Sequence, residues 1–186
     1  MAYRNIYLVL TLTRTFPARV IRLYTHEPYA HSSLALDEEL TEMYSFARKG
    51  IWNPFNAGFI KEDINDGLYA RHKSTRCSIF RLKVSEEQYI ALQNTIEVFK
   101  ENEEMYSYNY LGLVAASVNI PVKSNNRYFC SQFVAYALEY SGINMFHKPY
   151  ECLKPRDIRL NPNLQLIYEG KLSEYRHLKN NRFVLE

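Results

Sequence analysis

Ile6 to Leu12 is a nearly unbroken run of Ile, Tyr, Leu, Val and Thr. Its length and β-branched content predict a strand buried on both faces. Thr15 to Tyr24 changes period: Thr15 can cap, Pro17 suits a first turn, and Val20, Ile21 and Tyr24 recur at helical spacing. His31 to Asp37 and Met43 to Arg48 read as the two strands of a hairpin, turning around Glu38 to Leu40. Cys77 to Val84 alternates apolar and polar residues, the pattern of a half-buried strand. Ser85 to Asn102 gives the strongest helical pattern, with a Ser85/Gln88 capping box and an apolar stripe of Tyr89, Leu92, Ile96 and Phe99. A shorter helix is predicted over Tyr108 to Val118, ending before Pro121. Cys130 to Tyr140 is a further helix, closed by Gly142. Pro149 to Pro162 reads as Pro-punctuated loop, and Leu164 to Tyr168 as a last strand. No internal repeat or linker divides the chain. The expected fold class is α+β: one domain over residues 1–186, an antiparallel sheet packed against helices.

Lys49 to Ala70 interrupts this alternation. It holds Gly50, Gly58, Gly67, Pro54 and Trp52, the only Trp, and reads as a long surface excursion with little regular structure. Loops of this length inside a domain tend to carry function. Trp52, Phe55 and Phe59 are apolar groups that a plain solvent loop would not hold. The excursion is therefore expected to fold over a cleft as a lid or side wall, or else to plug a satellite core. Trp52 and Phe55 are its candidate substrate contacts, with Glu62 its best candidate polar contact.

Composition narrows the picture. At 47% hydrophobic and 23% charged residues, the chain is neither disordered nor of low complexity. A net charge of +3 is too mild to argue for nucleic acid. Three Cys are too few, and odd in number, for a disulfide framework. The apolar run near the N-terminus lacks a basic flank and a small-residue cleavage site, and is far short of a membrane span. A soluble, cytoplasmic protein without a membrane span is expected. No Gly-rich phosphate loop, G-x-S-x-G elbow, C-x-x-C or H-E-x-x-H occurs, so neither a cofactor nor a metal is expected.

Candidate chemistry begins with Cys130. It opens a helix, where unpaired backbone N–H groups and the helix dipole stabilise a thiolate. Cys77 heads a strand and Cys152 lies in a Pro-flanked loop, so both are expected to be structural. His31 starts a strand after a loop, where a base can face a cleft. Its strand face continues with Ser33 and Ala35, small side chains that would let a helix approach closely. The neighbouring strand offers Ser45 and Ala47 on one face, with Met43. If the two small faces coincide, Ser45 lies near His31 as the group that orients the imidazole. A different turn length would bring Glu42 or Tyr44 round instead, and Asp37 is a further possibility. The Tyr106-x-Tyr108-x-Tyr110 run reads as packing or as an aromatic platform.

Taken together these segments resemble a known family. RYFCSQFVAYAL resembles the nucleophile helix of the NlpC-type papain-like cysteine hydrolases, YAHSSLALD their His strand, and EMYSFARKG the strand after it. In ordinary members Cys precedes His. Here His31 precedes Cys130, as in the circularly permuted branch that includes YiiX-like proteins and lecithin retinol acyltransferase. The resemblance implies a permuted papain-like fold with Cys130 as nucleophile and His31 as base. It implies a third polar residue, usually Glu or His, at the position where Ser45 stands. It further implies a cysteine hydrolase of the peptidase or amidase type acting through an acyl-enzyme on a peptide, amide or lipid-ester substrate. The alternatives are a non-catalytic ligand-binding or scaffold module on the same fold, or a lipid acyltransferase.

Overall fold

The computed structural model describes residues 2–12, 28–50 and 56–175. The helix expected over Thr15 to Tyr24, and both Trp52 and Phe55, lie outside them.

The central strand is β1 (Tyr3–Leu12), with β2 (His31–Ala35), β3 (Met43–Arg48) and β4 (Ala57–Glu62) following in chain order. After a short helix α1 (Gly67–Arg71) come β5 (Arg76–Ser85) and the long helix α2 (Glu86–Glu101). Two-residue strands β6 (Ser107–Tyr108) and β7 (Arg127–Tyr128) flank helix α3 (Tyr110–Ser117). Helix α4 (Cys130–Tyr140), helix α5 (Pro155–Arg159) and β8 (Gln165–Lys171) complete the described elements. Six strands form one antiparallel sheet in the order β4-β3-β2-β1-β5-β8. The mixed α/β architecture with an antiparallel sheet is as the sequence pattern predicts.

The unbroken apolar run of β1 follows from its place between β2 and β5. Ile6, Leu8 and Leu10 point into one buried cluster, and Tyr7 and Val9 into another across the sheet. The first cluster holds α2 and α4. Phe133, Val134 and Leu138 of α4 share it with Leu34, Tyr44 and Phe46. The second holds Ala35, Met43, Leu40 and Tyr69. The helix therefore packs on the large-residue face of β2 and β3, not on the small face. Each helix is bounded as its sequence dictates. Ser85 caps α2 and shares a reciprocal capping box with Gln88. Past α4, Gly142 takes φ +74°, its N–H reaches Glu139 O, and Ile143 N–H reaches Leu138 O, a Schellman closure.

Two expected loops contain regular structure. The segment from Ala57 to Glu62 is a strand paired residue by residue with β3, from Arg48↔Ala57 to Met43↔Glu62. Phe59 is fully buried and stacks on Tyr44 and Phe99, so this part of the excursion is core rather than lid. Gly58 serves close approach: a Cβ there would stand 2.7 Å from Tyr106 O. The Pro-punctuated segment after Pro149 contains a single 3-10 turn over Tyr150–Cys152 and α5, which Pro155 starts.

Phe46 is at the centre of the aromatic core. Its ring lies 5.3 Å from Tyr128, 5.4 Å from Phe133 and 5.9 Å from both Phe59 and Phe99. Phe46→Ala is expected to cost about 3–5 kcal/mol, because the surrounding rings cannot all relax into the cavity. Differential scanning calorimetry should show the transition lowered by on the order of 10 °C.

Candidate functional site

The hairpin sets the site's register. Leu34 faces Tyr44 and Ala35 faces Met43, and the Leu36 N–H bonds Glu42 O at 3.0 Å. These pairings place Ser33 opposite Ser45, so the two small faces coincide. The loop is wider than Glu38 to Leu40, because Asp37 organises it. The Asp37 carboxylate accepts from the Thr41 N–H at 2.9 Å, the Thr41 hydroxyl at 2.7 Å and the Glu42 N–H at 2.7 Å. Asp37 is thereby a turn residue. Glu42 is bonded to Tyr44 and Lys61 rather than to the imidazole.

The group that contacts His31 is Glu62. His31 Nε2 lies 2.6 Å from Glu62 Oε1. Ser45 donates its hydroxyl to that same oxygen. The other carboxylate oxygen accepts from Ser33 Oγ at 2.9 Å and from Tyr69 OH at 2.8 Å. Sequence reasoning expected a hydroxyl, Ser45, against the imidazole, and Glu62 at most as a substrate contact on a loop. Instead β4 carries Glu62 onto the same sheet face as Ser33 and Ser45, and Ser45 acts one step back, on the carboxylate. The small side chains of β2 and β3 leave room for a buried carboxylate and for the Tyr69 phenol of α1, not for the Cys130 helix.

Electrostatics follow from burial and pairing. Burial alone would raise the Glu62 pKa, but the His31 charge and hydrogen bonds from His31, Ser45 and Tyr69 outweigh it. The carboxyl lies below its ordinary value. Burial alone would likewise lower the His31 pKa. The charges and hydrogen bonds of Glu62 and Cys130 reverse that and push it up to about 10. His31 is therefore an imidazolium at neutral pH.

Cys130 is the first residue of α4 and is buried. His31 Nε2 pairs with Glu62, and the same imidazole is the group that most favours ionisation of the Cys130 thiol. Burial opposes ionisation of the Cys130 thiol. The adjacent His31 and its charge, aided by the Ser32 backbone, overcome it and bring the pKa below the ordinary thiol value. Ser32 is fully buried on β2. Cys77 shows the contrast: burial without a cation pushes its thiol up to about 12. Cys152 is buried in the 3-10 turn behind α4.

Tyr108 is a further site residue that sequence reasoning did not single out from its run. Tyr108 is half-buried beside the site, and desolvation, then the neighbouring Cys130, hold its phenol pKa well above the ordinary value. Tyr106 belongs to the core, 4.5 Å from Phe99, and Tyr110 leans on Tyr108 at 4.7 Å. Chemically the cluster brings together a thiol whose ionisation is favoured, an imidazole paired with a carboxylate, and two donors close by, the Cys130 N–H and the Tyr108 OH. No family model matches the chain, and no curated protein is significantly similar to it. Among the described residues, no group of His, Cys, Asp and Glu has an arrangement that could hold a metal ion.

Proposed function

We propose that this protein is a cysteine hydrolase of amide or ester bonds, built as a circularly permuted papain-like domain. The observation that carries the proposal is the Cys130–His31–Glu62 relay, assembled from a helix N-terminus and two sheet strands. The Cys130 thiolate attacks the substrate carbonyl. The tetrahedral oxyanion is met by the Cys130 N–H and the Tyr108 hydroxyl. His31 gives a ring proton to the leaving group, and the acyl-enzyme forms. Water then attacks the thioester, with His31 as general base, and returns the thiol. Glu62 holds the imidazole in position and stabilises its charge throughout. The alternative, a non-catalytic binding module, draws on the Tyr-rich surroundings of the site and on a missing acidic third residue; Glu62 beside His31 supplies such an acid and favours the hydrolase reading.

The test is thiol reactivity. In the folded protein at neutral pH, iodoacetamide is expected to label Cys130 well ahead of Cys77 and Cys152, resolved by peptide mass spectrometry. His31→Ala should slow Cys130 labelling by on the order of 100-fold, since burial would then hold the thiol protonated. Equal rates at all three cysteines would refute the proposal.

A further inference from the structure

Helix α3 has its polarity reversed. Its inward positions are small: Gly112 and Ala116 are buried, and a Cβ on Gly112 would stand 2.2 Å from the Asn109 side chain. Its outward positions are large and apolar. Leu111 is 77% exposed, Val114 65% and Val118 58%, three residues at the i, i+3, i+7 spacing of one stripe. A surface helix normally presents charge on that side. The end of the helix extends the stripe. Asn119 takes φ +60°, its N–H reaches Ala116 O, and Ile120 N–H reaches Ala115 O. This Schellman closure holds Ile120 at the helix end, 56% exposed.

Along the chain, the charge in and after the stripe is of one sign. From Met105 to Leu138 the chain has no Asp or Glu, while Lys123 and Arg127 are both exposed. Lys154 places its ammonium on Ser117 O at 3.1 Å, at the C-terminal end of α3. The stripe starts next to the site. Asn109, which caps α3, bonds Gln132 of α4 and the Tyr128 carbonyl, and Tyr110 leans on Tyr108.

We propose that the outer face of α3, with the segment from Asn119 to Arg127, docks on an anionic lipid bilayer. Leu111, Val114, Val118 and Ile120 insert at the headgroup boundary, Tyr110 sits at the polar interface, and Lys123 and Arg127 meet the lipid charge. No described helix is long and apolar enough to cross a membrane, so the contact is peripheral. Docking in this way brings the Cys130 site beside the bilayer surface. The contact does not depend on turnover at Cys130.

Flotation of the full chain with vesicles of phosphatidylcholine, with and without phosphatidylserine, tests this. Binding is expected on the serine-lipid vesicles, weaker by roughly 30-fold without that lipid, at about a factor of five for each of two cations. Leu111→Asp with Val114→Asp should weaken binding at least ~10-fold, while iodoacetamide labelling of Cys130 and the melting temperature stay unchanged. Lys123→Glu with Arg127→Glu should abolish the preference for anionic vesicles. The proposal is overturned if the intact chain fails to float with either vesicle, or if the Leu111/Val114 variant floats equally well. It is also overturned if sedimentation shows a dimer that this variant dissociates, since the face would then belong to a second copy.

Discussion

Glu62→Ala is expected to lower the thermal midpoint by on the order of 10 °C and to slow alkylation of Cys130 together with it. The substitution leaves a half-buried imidazolium without its carboxylate partner and removes the acceptor for the Ser33, Ser45 and Tyr69 hydroxyls. Breaking a buried pair from one side costs about 3–5 kcal/mol, and a domain of this size loses about 2–4 °C for each kcal/mol. The loss should depend on pH in a defined way. The folded His31 pKa is raised, from 6.5 to about 10, so its contribution is complete below 6.5 and fades as pH rises through about 10. The folded Glu62 pKa is depressed, so its contribution is present above the ordinary 4.5 and fades as pH falls through the lowered value. The stability gap between the native chain and Glu62→Ala should therefore be widest between 4.5 and 6.5 and should shrink toward alkaline pH. Denaturant melts across that range measure it. A gap that does not vary with pH would show that Glu62 acts by packing alone.

Cys130→Ser is expected to abolish both covalent labelling at that position and any ester or amide hydrolysis, by on the order of 10⁴–10⁶-fold. The change is nearly isosteric, and His31 keeps Glu62, so the melting temperature should stay within a few degrees. A large fall in stability with hydrolysis retained would make Cys130 a core residue, since an unpartnered hydroxyl in an apolar site costs about 1–3 kcal/mol. Fluorogenic ester and amide panels with parallel calorimetry distinguish the two outcomes.

The elements that sequence reading identified were those whose pattern matches their surroundings. β1 is apolar throughout because both faces are covered, and α2 shows a clean stripe because one face is. Cys130 and His31 were legible because each opens a regular element, where chemistry concentrates. Glu62 was read as a loop residue for two physical reasons. Ala57 and Gly58 weaken the strand signal, and Phe59-Ile60-Lys61-Glu62 pairs like with like, hiding the period of two. A buried carboxylate also looks like a solvent residue until its partners are known. Only the β3–β4 register, set by pairing distant in sequence, turns Glu62 toward Ser33 and Ser45. The small face of His31, Ser33 and Ala35 was recognised, but its use was not. Whether small residues admit a helix or a buried acid depends on which neighbour arrives, and that is a tertiary fact.

The central claim is an ion pair between the Cys130 thiolate and the His31 imidazolium. The most direct measurement is the pH dependence of Cys130 alkylation in the native chain, followed by peptide mass spectrometry alongside the same titration of His31→Ala. The account requires the native midpoint to fall below the ordinary thiol value of 9.0 and to rise above it when His31 is removed. A native midpoint at or above that value, unchanged in His31→Ala, would contradict it.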